Sequence, residues 1–170
     1  GYDPVSATGQ VAGGASCVRL RRQGIDVWGG SERDEIVGFS AALGDVKDLR
    51  TVVTCSVHKE PMAAAQTLYR MAQEVPDSVM IAYIGRSNGA GPTLSALSVI
   101  PVITVPASAK EFPEDVWSSL RTPSKVPAMT VLEPSNAVLA ALQILSARNP
   151  KLYAHVRSEI ESRTVNALPI

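Results

Sequence analysis

Three short stretches crowd together side chains that could do chemistry. "SVHKEP" (56–61) sets one of the chain's two histidines beside a lysine. Imidazole takes up and releases a proton near neutral pH, so His58 is a candidate general acid or base. Lys59 beside it is suited to hold a phosphate. "GRSNGAGP" (85–92) packs an arginine, a serine, an asparagine and three glycines into one turn. Arg86 offers a planar fork to an anion, and Ser87 and Asn88 can hydrogen-bond a small polar group. "GGSERD" (29–34) places Gly29 and Gly30 ahead of Ser31, which brings backbone amides and a hydroxyl to a helix start, the makings of a phosphate cradle. Each stretch has a plainer reading. Ser31 and Asp34 suit an ordinary helix N-terminus, His58 suits a hydrogen-bonded turn, and the glycines suit a tight connector.

The elements around these stretches give them a common address. Strand-like runs occur at 25–30, 49–56, 78–84, 100–106 and 127–133, alternating with helical patterns at 31–45, 60–75, the end of 85–99, 134–148 and 150–168. In the 60–75 helix, Met62, Ala65, Leu68, Met71, Ala72 and Val75 recur at helical spacing, and Pro61 suits its first turn. Leu152, Val156 and Ile160 form the stripe of the last helix, while 134–148 is apolar nearly all round. Trp28, Tyr69 and Tyr83 are expected in the core, and His155 is expected to be structural or exposed. Nearly continuous apolar strands alternating with helices predict an α/β fold: a flavodoxin-like three-layer sandwich with a doubly wound parallel sheet. Ligands in such folds bind at the carboxyl ends of the strands. All three stretches follow a predicted strand, so they fall on that one edge and together describe a phosphorylated ligand, an acid/base histidine and an anion-stabilising loop.

Composition narrows the classes. The chain has 170 residues and zero formal net charge, enough for one domain and without the basic footprint of a nucleic-acid binder. Apolar residues make up 45% and charged residues 19%, a balance that hints at surface buried between subunits. Cys17 and Cys55 form neither a disulfide framework nor a metal spacing, which favours a reducing, cytoplasmic setting. No run is long and apolar enough to suggest a membrane span. Residues 1–24, rich in Gly, Ser and Ala, read as a flexible lead-in or linker, with the functional domain over 25–170. There is no Walker loop, no G-x-G-x-x-G after the first strand, no zinc spacing and no G-x-S-x-G elbow. Few aromatics are placed to sandwich a flavin.

Taken in order, the three stretches resemble the phosphoribosylaminoimidazole carboxylase family of purine biosynthesis. "GRSNGAGP" is the most specific match, to the class that uses CO2 directly. "DVWSSLRTPS" (115–124) resembles a run that lines the neighbouring part of that class's site, and "LEPSNAVLAALQIL" (132–145) is similar to another of its segments. The resemblance runs colinearly from about residue 25 to 160. Arg33 stands where the family has a serine, and Val57 and Ile84 stand where it has alanines, which predicts a narrower pocket.

The resemblance implies reversible addition of CO2 to a ring carbon of 5-aminoimidazole ribonucleotide, without cofactor or metal. It implies His58 as the proton carrier, and Ser31, Arg33 and Lys59 on the 5′-phosphate. Asp34 would face the ribose, and Gly30, Ser56, Gly85, Arg86, Ser87 and Asn88 would complete the substrate site. It further implies a homo-octamer, with the 134–148 helix packed between subunits, and in animals a fusion to a succinocarboxamide synthetase domain. Two other functions stay open on the sequence: a mutase acting on the carbamate nucleotide, and a nucleotide-binding relative without turnover.

Overall fold

A computed structural model describes residues 23–30 and 50–164. The elements, numbered over those residues, are strands β1 (Gln23–Gly29), β2 (Arg50–Thr54), β3 (Asp77–Ile84), β4 (Val102–Pro106) and β5 (Met129–Thr130), and helices α1 (Pro61–Glu74), α2 (Ala90–Leu97), α3 (Trp117–Leu120), α4 (Pro134–Ser146) and α5 (Pro150–Thr164). The helix expected over 31–45 lies outside the described residues.

All four strand pairings are parallel, and the order is β2-β1-β3-β4-β5. Successive side chains of a strand face opposite sides of the sheet, so a sheet covered on both faces needs apolar residues at both parities. β1 is buried along its whole length and β3 is buried at all but Tyr83. Ile25, Val27, Val79, Ile81, Ile103 and Val105 point to one face, where α4 covers them with Ala137, Val138, Ala141, Leu142 and Leu145. Trp28, Met80, Ala82, Ile84 and Val102 point to the other, against Ala64, Leu68 and Met71 of α1 and Ala90 and Leu94 of α2. The three-layer, flavodoxin-like sandwich expected from the strand pattern is present.

Several boundaries and faces differ from expectation. β1 begins at Gln23, so Gln23 and Gly24 belong to the sheet and not to a lead-in. β5 shrinks to two residues paired with Ile103 and Thr104. Among the described residues it is an edge strand paired with β4 alone, and Pro127 has no amide to give a ladder. On α1 the buried face is Ala64, Leu68 and Met71, at steps of four and three. That face leaves Met62 72% and Tyr69 68% exposed, so neither is core. Trp28 is fully buried, as expected, and Tyr83 packs against the core half-buried. On α5, Leu152 and Val156 are buried, whereas Ile160 is exposed beside the open groove between α4 and α5.

A polar clasp closes the amino ends of β1 and β3, on the edge remote from the candidate chemistry. The Gln23 amide donates to Asp77 Oδ2 at 2.9 Å and to the Leu145 carbonyl at 3.0 Å, and its oxygen accepts from Asn149 Nδ2 at 2.7 Å. Arg148 pairs with the other oxygen of Asp77, which raises the guanidinium pKa further. Gln23 and Asp77 are buried, so each of these groups depends on its partner. Gln23→Ala is expected to cost about 1–3 kcal/mol by stranding buried polar groups. Urea denaturation checks this as a lowered midpoint.

Candidate active site

The strand order doubles back between β1 and β3, because β2 lies on one side of β1 and β3 and β4 on the other. Loops leaving the carboxyl ends of these strands part there and leave a crevice. It holds a cavity of ≈ 230 Å³ lined by Gly30 after β1, by Ser56, Val57, His58 and Lys59 after β2, and by Ile84, Gly85, Arg86 and Ala90 around the end of β3. Val57, Ile84 and Ala90 are buried and form an apolar floor, while His58, Lys59 and Arg86 are exposed at its rim. The two residues expected to narrow the pocket thus both line it. Among the described residues no carboxylate lines it, and the rim carries the two cations Lys59 and Arg86 beside one imidazole. Such a site attracts anions.

The His58 loop is a short hydrogen-bonded turn. The Ser56 carbonyl accepts from Glu60 N at 2.8 Å, and Ser56 Oγ accepts from Lys59 N at 3.3 Å. Pro61 then opens α1, where a missing amide costs nothing. From below, the Trp28 indole donates to the Cys55 carbonyl at 2.9 Å, and Cys55 N donates to the Gly29 carbonyl at 3.1 Å. The buried tryptophan therefore ties the histidine loop to β1. Burial pushes the Cys55 thiol upward, and Glu60 adds to the shift, which disfavours the reactive thiolate.

The Gly85–Gly89 loop is held from behind. Asn88 is fully buried, its Nδ2 donates to the Ile84 carbonyl at 3.1 Å, and its Oδ1 accepts from Ser119 Oγ. Its backbone N–H donates to Asp115 Oδ2 at 2.9 Å. Ser119 is in turn tied to Thr130 Oγ1 at 3.2 Å, and Thr130 to Thr104 at 3.0 Å. Asn88, expected on the substrate, is thus spent on the protein and shapes the loop. The braced loop holds Ser87 at φ 59, a left-handed conformation that an unbraced serine rarely keeps. Ser87 is exposed and lines an adjoining cavity of ≈ 360 Å³ with Arg86, Phe112, Glu114 and Asp115.

The structure therefore brings Gly30, Ser56, His58, Lys59, Gly85 and Arg86 around one cavity, sets Ser87 next to it and buries Asn88. Ser31, Arg33 and Asp34 lie outside the described residues. His155 is exposed on α5, in a groove of ≈ 310 Å³ with Leu139, Leu142, Gln143, Val156, Glu159, Ile160 and Arg163, in the helix layer and not at the strand ends. In the sequence, Asp115 and Ser119 stand out only as members of a run that resembles a site-lining segment. Their contacts with Asn88, 27 and 31 residues away, carry no local signature. Among the described residues no group of His, Cys, Asp and Glu could hold a metal ion, and no helix is long and apolar enough to cross a membrane.

Fold and cavity together define a flavodoxin-like α/β protein with an anion-attracting site at the strand carboxyl ends. Comparison with known proteins makes the assignment specific: residues 32–165 match the model of the AIR carboxylase family, and the chain belongs to that family. It is 37% identical over 106 residues to the probable multifunctional protein ADE2 of Caenorhabditis elegans, an alignment covering 62% of this chain and 25% of that protein. It is 35% identical over 106 residues to the bifunctional phosphoribosylaminoimidazole carboxylase/phosphoribosylaminoimidazole succinocarboxamide synthetase of Mus musculus, again covering 62% and 25%. The chain spans about a quarter of the length of these relatives. The crystal structure of Treponema denticola PurE superposes with a TM-score of 0.78 at 26% identity, covering 86% of this chain and 94% of that one.

Proposed function

We propose that the chain carboxylates 5-aminoimidazole ribonucleotide with CO2, giving 4-carboxy-5-aminoimidazole ribonucleotide in de novo purine biosynthesis. The observation that carries this reading is that His58 and Arg86 line one cavity, with Lys59 beside them.

The aminoimidazole ring is an enamine, so its C4 is already nucleophilic. C4 forms a bond to the carbon of CO2, and one C=O electron pair moves onto oxygen as a carboxylate. The ring now carries a proton on C4 and a positive charge. His58 removes that proton, the C–H electron pair returns to the ring, and aromaticity is restored. Holding the gas molecule over C4 replaces a bimolecular encounter with a fixed one. Arg86 and the donors of the 85–89 loop stabilise the new carboxylate. Lys59, with Ser31 and Arg33, takes the 5′-phosphate, and Asp34 takes the ribose hydroxyls. Gly30, Ser56 and Ser87 line the substrate, and Asn88 keeps the loop in shape. Val57 and Ile84 supply an apolar floor suited to a neutral gas.

The reading extends to one functional domain that takes in the described residues, to action in the cytoplasm without a cofactor, and to a homo-octamer. For the last, Leu139, Ala140 and Ile144 of α4 remain only half-buried, apolar surface that a neighbouring subunit would cover. The name of the mouse relative pairs the carboxylase with a succinocarboxamide synthetase, and a match to a quarter of its length suits one domain of such a fusion.

The test is product formation from aminoimidazole ribonucleotide and bicarbonate/CO2 without ATP. Turnover is expected. Turnover of the carbamate nucleotide with none of aminoimidazole ribonucleotide plus CO2 would replace the carboxylase reading with the mutase. Nucleotide binding with neither reaction would leave a binding module.

A further inference from the structure

The geometry points to Phe112 as the residue that positions Arg86, and so sets how well the cavity receives an anion. This rests on the reading of the cavity as a carboxylation site. Arg86 leaves β3 on an exposed side chain with many rotamers, and an unrestrained guanidinium is a poor point of reference for a small carboxylate. Here its Cζ lies 4.4 Å from the centroid of the Phe112 ring, within cation–π range. Among the described residues no carboxylate pairs with Arg86 at ion-pair distance. The nearby carboxylate of Asp115 is committed elsewhere: Oδ2 accepts from Asn88 N at 2.9 Å and Oδ1 from Ser118 Oγ at 3.2 Å. A ring holds the cation in place without a formal negative charge to cancel it, so the charge stays available to an incoming anion.

The backbone of Phe112 is itself held. Its N–H donates to the Ser108 carbonyl at 2.8 Å, and its carbonyl accepts from Asp115 N at 3.1 Å. Asp115 then grips Asn88, two residues beyond Arg86. The ring and the guanidinium are therefore carried on two segments tied to each other next to the contact. Arg86 lines both the His58 cavity and the adjoining one that Phe112 lines, so a contact with the ring bears on both.

The experiment is a double-mutant cycle on decarboxylation of the carboxylated nucleotide, with thermal midpoints recorded alongside. Phe112→Leu is expected to lower kcat/KM about three- to thirtyfold, the range of a cation–π contact. Phe112→Trp, which keeps an aromatic face, should recover most of that loss. In an Arg86→Ala background, Phe112→Leu should cost less than about twofold more. An unchanged kcat/KM in Phe112→Leu, or an equal loss with and without Arg86, would overturn the proposal. If the parent chain turns over no nucleotide, the functional reading fails separately. The positioning is then judged by the Arg86 Nε–H proton resonance, shifted by the ring current in the parent and relaxing in Phe112→Leu. No change in that resonance overturns it.

Discussion

His58→Asn is expected to lower turnover at least about a hundredfold while nucleotide binding stays within a few fold. The substitution keeps a planar, polar side chain of similar reach and removes the group that accepts the ring proton. Binding should survive because the charges at the rim, Lys59 and Arg86, belong to other residues. The loop should survive because its shape rests on Ser56, Glu60 and the Trp28–Cys55 bond, none of which involves the imidazole. His58 is exposed, so its replacement leaves no buried cavity. Steady-state kinetics with a separate calorimetric titration of nucleotide separates the two effects. A parallel loss of binding and turnover would mean that the histidine holds the substrate and does not move a proton.

Gly91→Ala is the second large effect, and it acts through the scaffold. A Cβ at residue 91 would lie 2.5 Å from Cγ2 and 2.9 Å from Cβ of Thr104. Thr104 is fully buried in β4, and its hydroxyl is bonded to the Met129 carbonyl at 3.2 Å and to Thr130 at 3.0 Å, so it has little room to turn away. α2 must therefore lift from β4 or the threonine must give up its bonds. Overpacking of this kind costs about 1–3 kcal/mol. The strain falls just after the loop that carries Arg86, because Gly91 N donates to the Asn88 carbonyl at 3.1 Å. Activity should fall together with the urea midpoint. Gly89→Ala is the control two residues earlier. A Cβ there meets nothing within 4 Å, and the backbone is already helical at φ −56, ψ −15. It should leave stability unchanged or raise it by about 0.4–1 kcal/mol. An equal gain at the two glycines would show that helix entropy and not close packing governs this turn.

The parts of the molecule readable from sequence are those whose signal is local. β3 reads as a strand because "SVMIAYI" is apolar at both parities, which only a sheet covered on both faces requires. The chain order of strands and helices then fixes which loops share an edge, and His58 and Arg86 were brought to one crevice by topology alone. Exposure within a helix was harder. The periodicity of α1 admits two neighbouring faces, and only packing against Met80 and Leu94 selects the one through Ala64, which turns Met62 and Tyr69 outward. Asn88 shows a further limit. Its amide suits a ligand and a buried bridge equally well. What decides for the bridge is Ser119 and Asp115, supplied from beyond β4. Phe112 is likewise mute in sequence, since its partner lies on another loop.

The most direct test of the central claim is a spectrophotometric decarboxylation assay on the purified chain, with 4-carboxy-5-aminoimidazole ribonucleotide as substrate and neither ATP nor metal added. The account predicts saturable release of CO2 that disappears in His58→Asn. Tight nucleotide binding with no decarboxylation, or equal rates for parent and variant, would contradict it.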